Sequence, residues 1–112
     1  MGGRPDHTLA NYSLLASLSK KGVRAYMTGE GYTVTAVTDA GVMISGKEGN
    51  TLSVFSWSDA SYGVTLRNLK YTLDNAVLKN DFSLGVSNSF IDRTAEISVE
   101  KGTLLVMYED RG

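Results

Sequence analysis

A mainly-β domain, a sandwich or barrel preceded by one α-helix, is the fold class that this sequence predicts, on three observations. Asp6 to Lys21 contain neither Gly nor Pro, whereas most of the 12 glycines fall later, between short β-rich runs. After Gly22 the chain breaks into segments rich in Val, Thr, Tyr and Leu, separated by Gly, Asn and Asp at the spacing of an all-β domain. Ala95, Ile97 and Val99 alternate with Glu96, Ser98 and Glu100, the period of a strand with one core face and one wet face.

Each element has its own signal. Leu14, Leu15 and Leu18 recur at helical spacing, so a helix is predicted over 6–21. Pro5 and Asp6 suit its opening turn, where the macrodipole favours an acid; Lys20, Lys21 and Gly22 form the matching stop. Strands are predicted at Val23–Met27, Tyr32–Thr38, Val42–Ser45, Thr51–Trp57, Val64–Leu73, Ala76–Leu78, Gly85–Phe90, Ala95–Glu100 and Thr103–Glu109. Within Val64–Leu73 the apolar phase slips between Leu66 and Leu69, which calls for a bulge or sharp bend near Asn68. Lys101-Gly102 reads as a tight turn. Leu104, Leu105, Val106 and Met107 do not alternate, the pattern of a strand covered on both sides.

Composition narrows the function. The 112 residues suffice for one domain core. Eleven Lys and Arg against 12 Asp and Glu give a net charge of -1, which supplies no field for a phosphate backbone or an anionic bilayer. Neither nucleic acid nor a membrane is an expected partner. With no Cys there is no disulfide framework, thiolate metal site or Cys nucleophile, and His7 alone cannot make a cluster of histidine ligands. No apolar run reaches the ~18 residues of a membrane span, and the first residues lack a signal peptide's hydrophobic segment, so a cytoplasmic location is the default expectation. There is no Gly-x-Ser-x-Gly elbow and no P-loop.

Two clusters carry candidate chemistry. Gly2, Gly3 and Arg4 precede a helix start bearing Asp6 and His7, a corner that could handle phosphate through free N–H groups and a bidentate guanidinium, with His7 as donor or proton carrier. The plainer reading is a flexible Gly-Gly start, a helix-capping Asp6 and a solvated His7. Ser87, Asn88 and Phe90 could supply hydrogen bonds and a stacking ring. Their plainer reading is a polar edge strand with Phe90 in the core. Trp57 and Tyr62 read as core or rim aromatics.

Taken together, the segments resemble the thiamine pyrophosphokinase family. Gly2-Gly3-Arg4-Pro5-Asp6-His7-Thr8-Leu9-Ala10-Asn11 is similar to its Gly-Gly-Arg-x-Asp-His-x-x-x-Asn motif. Gly63 to Ala76 resembles its Gly-Val-Thr-x-x-Gly-Leu-Lys-Tyr-x-Leu-x-Asn-Ala segment, with Asn68 where the family often has Gly. Ser87 to Phe90 resembles its Ser-Asn-x-aromatic thiamine strand, and Gly102 to Val106 its closing strand.

The resemblance implies a jelly-roll-type β-sandwich over 23–112, preceded over 1–22 by the last motif and helix of an α/β nucleotide-binding domain. It implies pyrophosphoryl transfer from ATP to thiamine with Mg²⁺, in a homodimer whose thiamine lies between one subunit's β-domain and its partner's catalytic domain. Arg4, Asp6 and His7 would then line the ATP side, and Ser87, Asn88 and Phe90 would hold thiamine. The family's acidic metal-binding segments, an Asp-Gly-Gly turn among them, do not occur in these residues. No catalytic or metal-binding residue is therefore expected here, and the chain by itself is not expected to turn over. A stand-alone β-sandwich module that binds carbohydrate or protein is the competing reading.

Overall fold

The computed structural model describes residues 5–81 and 87–110. Helix α1 (Pro5–Lys20) opens with Asp6 and closes with Lys20 in its last turn. It ends in a Schellman turn: Gly22 at φ +80° donates to the Ser19 carbonyl at 3.1 Å, and Val23 donates to the Leu18 carbonyl at 2.9 Å. That turn takes up Lys21 to Val23, and for this reason the first strand starts later than the Val-rich signal predicts. Strand β1 is Tyr26–Gly29, not Val23–Met27.

Eight further strands follow: β2 (Tyr32–Thr38), β3 (Gly41–Ser45), β4 (Thr51–Ser56), β5 (Ala60–Arg67), β6 (Leu73–Lys79), β7 (Asn88–Ser89), β8 (Thr94–Ser98) and β9 (Thr103–Glu109). They form two antiparallel sheets, of order β1-β2-β9-β4-β7 and β3-β8-β5-β6. Apart from the β1–β2 and β5–β6 hairpins, every connection crosses from one sheet to the other. This is the jelly-roll-type sandwich with one N-terminal helix that the sequence predicts. Between β1 and β2, Glu30 and Gly31 both have positive φ, the two-residue turn whose twist suits a hairpin.

The largest departure from the sequence reading concerns Val64–Leu73, which is not one strand. Asn68 takes φ +62° just after β5, and the chain returns so that Leu66 pairs with Leu73. The slip in apolar phase marks the junction of two strands, and Asn is one of the few non-glycine residues that enters the left-handed region readily. Strand β5 also begins four residues early, because Ser61, although polar, is fully buried. Its hydroxyl shares a 2.7 Å hydrogen bond with Ser56 Oγ and donates to the Thr103 carbonyl at 3.3 Å. Ala76–Leu78 is likewise longer than predicted, extending over β6. The remaining boundaries agree to within two residues, except at β7, where Gly85 and Val86 lie outside the described residues.

Two cores hold the molecule together. Val37, Ile44, Leu52, Val54, Val64, Leu66, Leu78, Phe90, Ile97, Leu104 and Val106 fill the space between the sheets. Leu15 of α1 meets Val34, Ala36 and Leu105 on the outer face of the five-stranded sheet, flanked by Tyr12, Met27, Trp57 and Met107. The helix is thus packed onto the β-domain. Strand β9 lies between these cores, with Leu104 and Val106 facing one and Leu105 the other, as its unbroken apolar run requires.

Two substitutions check this two-sided burial. Leu104→Ala and Leu105→Ala are each expected to lower the unfolding free energy by about 2–5 kcal/mol in urea titrations. A loss below about 0.5 kcal/mol at either site would show that face to be wet.

Candidate functional site

The polar segment before Phe90 becomes an edge through its pairing. Strand β7 lies antiparallel to β4, with Ser89 opposite Thr51 and Asn88 opposite Leu52. On its other side the chain at 69–71 runs alongside, with Leu69 bridging Phe90 and Lys70 N–H donating to the Ser89 carbonyl at 2.9 Å. Phe90 N–H donates to the Asn50 carbonyl, and Gly49 N–H to the Phe90 carbonyl, each at 2.9 Å. The segment is held from both sides.

This pairing divides the three predicted thiamine residues. Ser87 is exposed, with φ +65°, and its N–H donates to Ser53 Oγ at 3.1 Å. Asn88 is 3% exposed and its amide is occupied internally: Oδ1 accepts the N–H of Tyr71 at 2.9 Å and of Ser89 at 3.0 Å, while Nδ2 donates to the Tyr71 carbonyl at 2.6 Å. Phe90 is 1% exposed, set edge-on to Tyr108 with ring centroids 6.5 Å apart and planes at 76°. Its ring lies against Gly46, where a Cβ would run into it. Asn88 and Phe90 share the inward face because they are two residues apart on a strand. Phe90 therefore offers no free ring face for stacking, and the plainer reading of an edge strand with Phe90 in the core describes its position.

Sequence reasoning does not single out Tyr71, which is 61% exposed beside this edge, with Lys70 Nζ 5.4 Å from its ring centroid. Its only sequence signal is its place in the family-like Leu69-Lys70-Tyr71 run.

Arg4 lies outside the described residues. Asp6 and His7 are exposed on the first turn of α1, where Asp6 Oδ1 accepts the His7 N–H at 3.0 Å. The helix covers β2 and β9, with β4 between β9 and the edge strand β7. The two predicted half-sites are thus on different elements. Among the described residues, no three His, Cys, Asp or Glu side chains converge to hold a metal ion.

A cavity of about 420 Å³ lies elsewhere, on the outer face of the five-stranded sheet. Tyr12 of α1 forms one wall, with Phe55, Trp57, Leu105 and Met107 among the remaining lining. Trp57 is accordingly a rim aromatic, and Tyr62, 50% exposed, is on the surface. Burial disfavours the charged phenolate and raises the pKa of Tyr12 above its ordinary value.

Tyr108, which meets Phe90, also ionises above its ordinary value of 10.0, chiefly through burial and secondarily through Tyr26 and Asp110, against a lowering hydrogen bond from Thr33. A phenol whose folded pKa exceeds its unfolded one keeps its contribution to stability below the unfolded value and loses it as pH rises through the folded one. Unfolding free energy measured from about pH 8 to 11.5 is therefore expected to fall above about pH 10, and less steeply in Tyr108→Phe. Identical slopes for the two proteins would remove Tyr108 as a source of the loss.

The family model described as thiamin pyrophosphokinase, vitamin B1 binding domain, matches residues 41–104. Among solved structures, thiamine pyrophosphokinase from Bacillus subtilis superposes with a TM-score of 0.87 at 24% identity, over 100% of this chain and 53% of that one. The enzyme from Geobacillus thermodenitrificans gives 0.86 at 21% identity, over 100% and 52%. Thiamin pyrophosphokinase from Candida albicans gives 0.83 at 16%, over 99% and 42%. At these identities the superpositions show the shared fold. The chain spans about half the length of the two bacterial proteins. No curated protein matches it significantly.

Proposed function

We propose that this chain, which belongs to the thiamin pyrophosphokinase, vitamin B1 binding domain family, holds thiamine for pyrophosphoryl transfer from ATP. The match of residues 41–104 to that family is the observation that carries this reading. In the reaction the thiamine hydroxyl oxygen forms a bond to the β-phosphorus of ATP. The bond from that phosphorus to the α–β bridging oxygen breaks, AMP leaves with the electron pair, and the hydroxyl proton is released. Such transfers depend on positioning and on stabilising charge on the phosphoryl oxygens.

The chain's own part is to bind and orient the alcohol. Segment 87–90 forms the thiamine side: Ser87 meets the ligand, while buried Asn88 and Phe90 fix the edge that carries it. Arg4, Asp6 and His7 belong to the ATP side. When bound, Mg²⁺ neutralises triphosphate charge. Among the described residues no set of acidic or histidine side chains converges to hold that ion. A homodimer, with each thiamine shared between subunits, is supported by the placement of the two half-sites on elements separated by β4.

Calorimetric titration of the 112-residue chain with thiamine tests the assignment. Saturable binding is expected, weakened roughly 2- to 10-fold in Ser87→Ala, the scale of one hydrogen bond. Incubation with Mg²⁺, ATP and thiamine should release no AMP from this chain alone. Absence of thiamine binding would favour a stand-alone module for another ligand, and AMP release at the rate of a complete enzyme would relocate the chemistry to these residues.

A further inference from the structure

We propose that the free edge of β3 is an interaction surface for a second copy of this chain, and that two copies join there by pairing their β3 strands antiparallel about a two-fold axis at Met43. The homodimer suggested above thereby gains a contact surface, one that rests on β3 alone and not on bound thiamine.

Strand β3 is an outer strand of the four-stranded sheet and, among the described residues, pairs with β8 and no other strand. The ladder fixes which of its backbone groups are left over. The Ala40 carbonyl accepts the Val99 N–H at 3.0 Å and Gly46 N–H donates to the Arg93 carbonyl at 2.7 Å, so the even-numbered residues between them exchange bonds with β8. Alternate residues of an antiparallel pair turn their N–H and C=O groups the other way, which leaves those of Gly41, Met43 and Ser45 along the open edge. Edges of natural sheets are commonly blunted by bulges, charges or proline. At the other end of this sheet β6 has two register irregularities against β5 and carries Asp74 and Lys79. In the five-stranded sheet β1 is only four residues long, and the two residues of β7 are flanked by the bridge from Leu69 to Phe90. Strand β3 runs five residues in register with β8, without a bulge, a charge or a proline.

Its side chains select a second copy as the occupant. With Met43 on the axis, Gly41 faces Ser45 of the other strand and Met43 faces Met43, so every open position of each strand finds a partner. Asp39 then lies across from the partner's Lys47, and Lys47 across from the partner's Asp39. Both residues are exposed, and Asp39 is anchored where it stands by accepting the Gly102 N–H at 2.8 Å. Opposite charges placed across a strand pair favour that register. On the outer face the two Met43 side chains, each 58% exposed, meet beside a hollow lined by Gly41, Met43, Glu96 and Ser98, and a flexible thioether suits such a gap. On the inner face Val42, only partly buried against the core, comes opposite Ile44 of the other strand. A net charge of -1 sets little repulsion against self-association.

Sedimentation of the 112-residue chain from about 10 µM to about 1 mM should show a reversible monomer–dimer equilibrium, as suits a contact this small. Hydrogen exchange followed by NMR should show the amides of Gly41, Met43 and Ser45 slowing as the concentration rises, while those of β1 and β6 keep their rates. Met43→Lys sets like charges face to face on the axis and is expected to weaken the dimer about fivefold or more, with folding checked by circular dichroism. Met43→Pro removes the central donor, a change that an edge strand tolerates, and should act in the same direction; if it does not fold, Met43→Lys decides. Lys47→Glu puts a carboxylate across from Asp39 and should weaken the dimer about 3- to 10-fold. A chain that stays monomeric at the highest concentration would overturn the proposal. So would a dimer in which those three amides exchange at the monomer's rate, or one that Met43→Lys leaves as tight as wild type, because the copies then meet elsewhere. Dimers with protected β3 amides in a chain that binds no thiamine would uphold this surface and overturn only the thiamine reading.

Discussion

Strand β9 is buried on both faces from Thr103 to Val106. It is the middle strand of its sheet, between β2 and β4, and it carries one core on each side. Because side chains alternate along a strand, Leu104 and Val106 must enter the space between the sheets while Leu105 and Met107 meet the helix layer. A register slip of one residue would exchange these sets and spoil both cores together. The neighbours are fixed by this demand: β2 presents Val37 inward and Val34 and Ala36 outward, and β4 presents Val54 inward.

Polar groups at one end of the sandwich tie these layers together. Ser19 Oγ on α1 donates to the Ala16 carbonyl and shares a 2.7 Å hydrogen bond with Thr38 Oγ1, which in turn shares one of 2.8 Å with Thr103 Oγ1. A second set joins Ser56, Ser58, Ser61 and Thr103, so that the start of β9 is bonded to β2, through Thr38 to the helix, and to the β4–β5 turn. Among the described residues no buried side-chain nitrogen or oxygen lacks a partner. Hydroxyls suit this end because each can donate and accept within a small volume.

The same logic explains the site edge. Strand β7 pairs with β4 over only two residues, too little to hold an edge by itself. The buried amide of Asn88 and the buried ring of Phe90 supply the rest, the first by fixing the chain at Tyr71 and the second by filling the space next to Gly46 and Tyr108. The exposed residues along this edge include Ser87 and Tyr71.

The sequence by itself determined what depends on near neighbours. The helix and its Gly22 stop, the turn at Lys101-Gly102, the wet and dry faces of residues 95–100, and the two-sided burial of 104–107 all follow from periodicity and from turn-forming residues. Asn68 shows the limit: its bend was legible, but the fact that it divides two paired strands was not, because Leu66 meets Leu73 only through the hairpin. Ser61 was missed for the same reason, its burial depending on partners at Ser56 and Thr103. At the candidate site the residue types were legible and their burial was not. Asn88 turns inward because Tyr71, 17 residues earlier, lies alongside it, and Phe90 is buried because Gly46 leaves room for its ring. Such contacts arise only when distant segments are brought together, since no local pattern fixes which backbone a side-chain amide will meet.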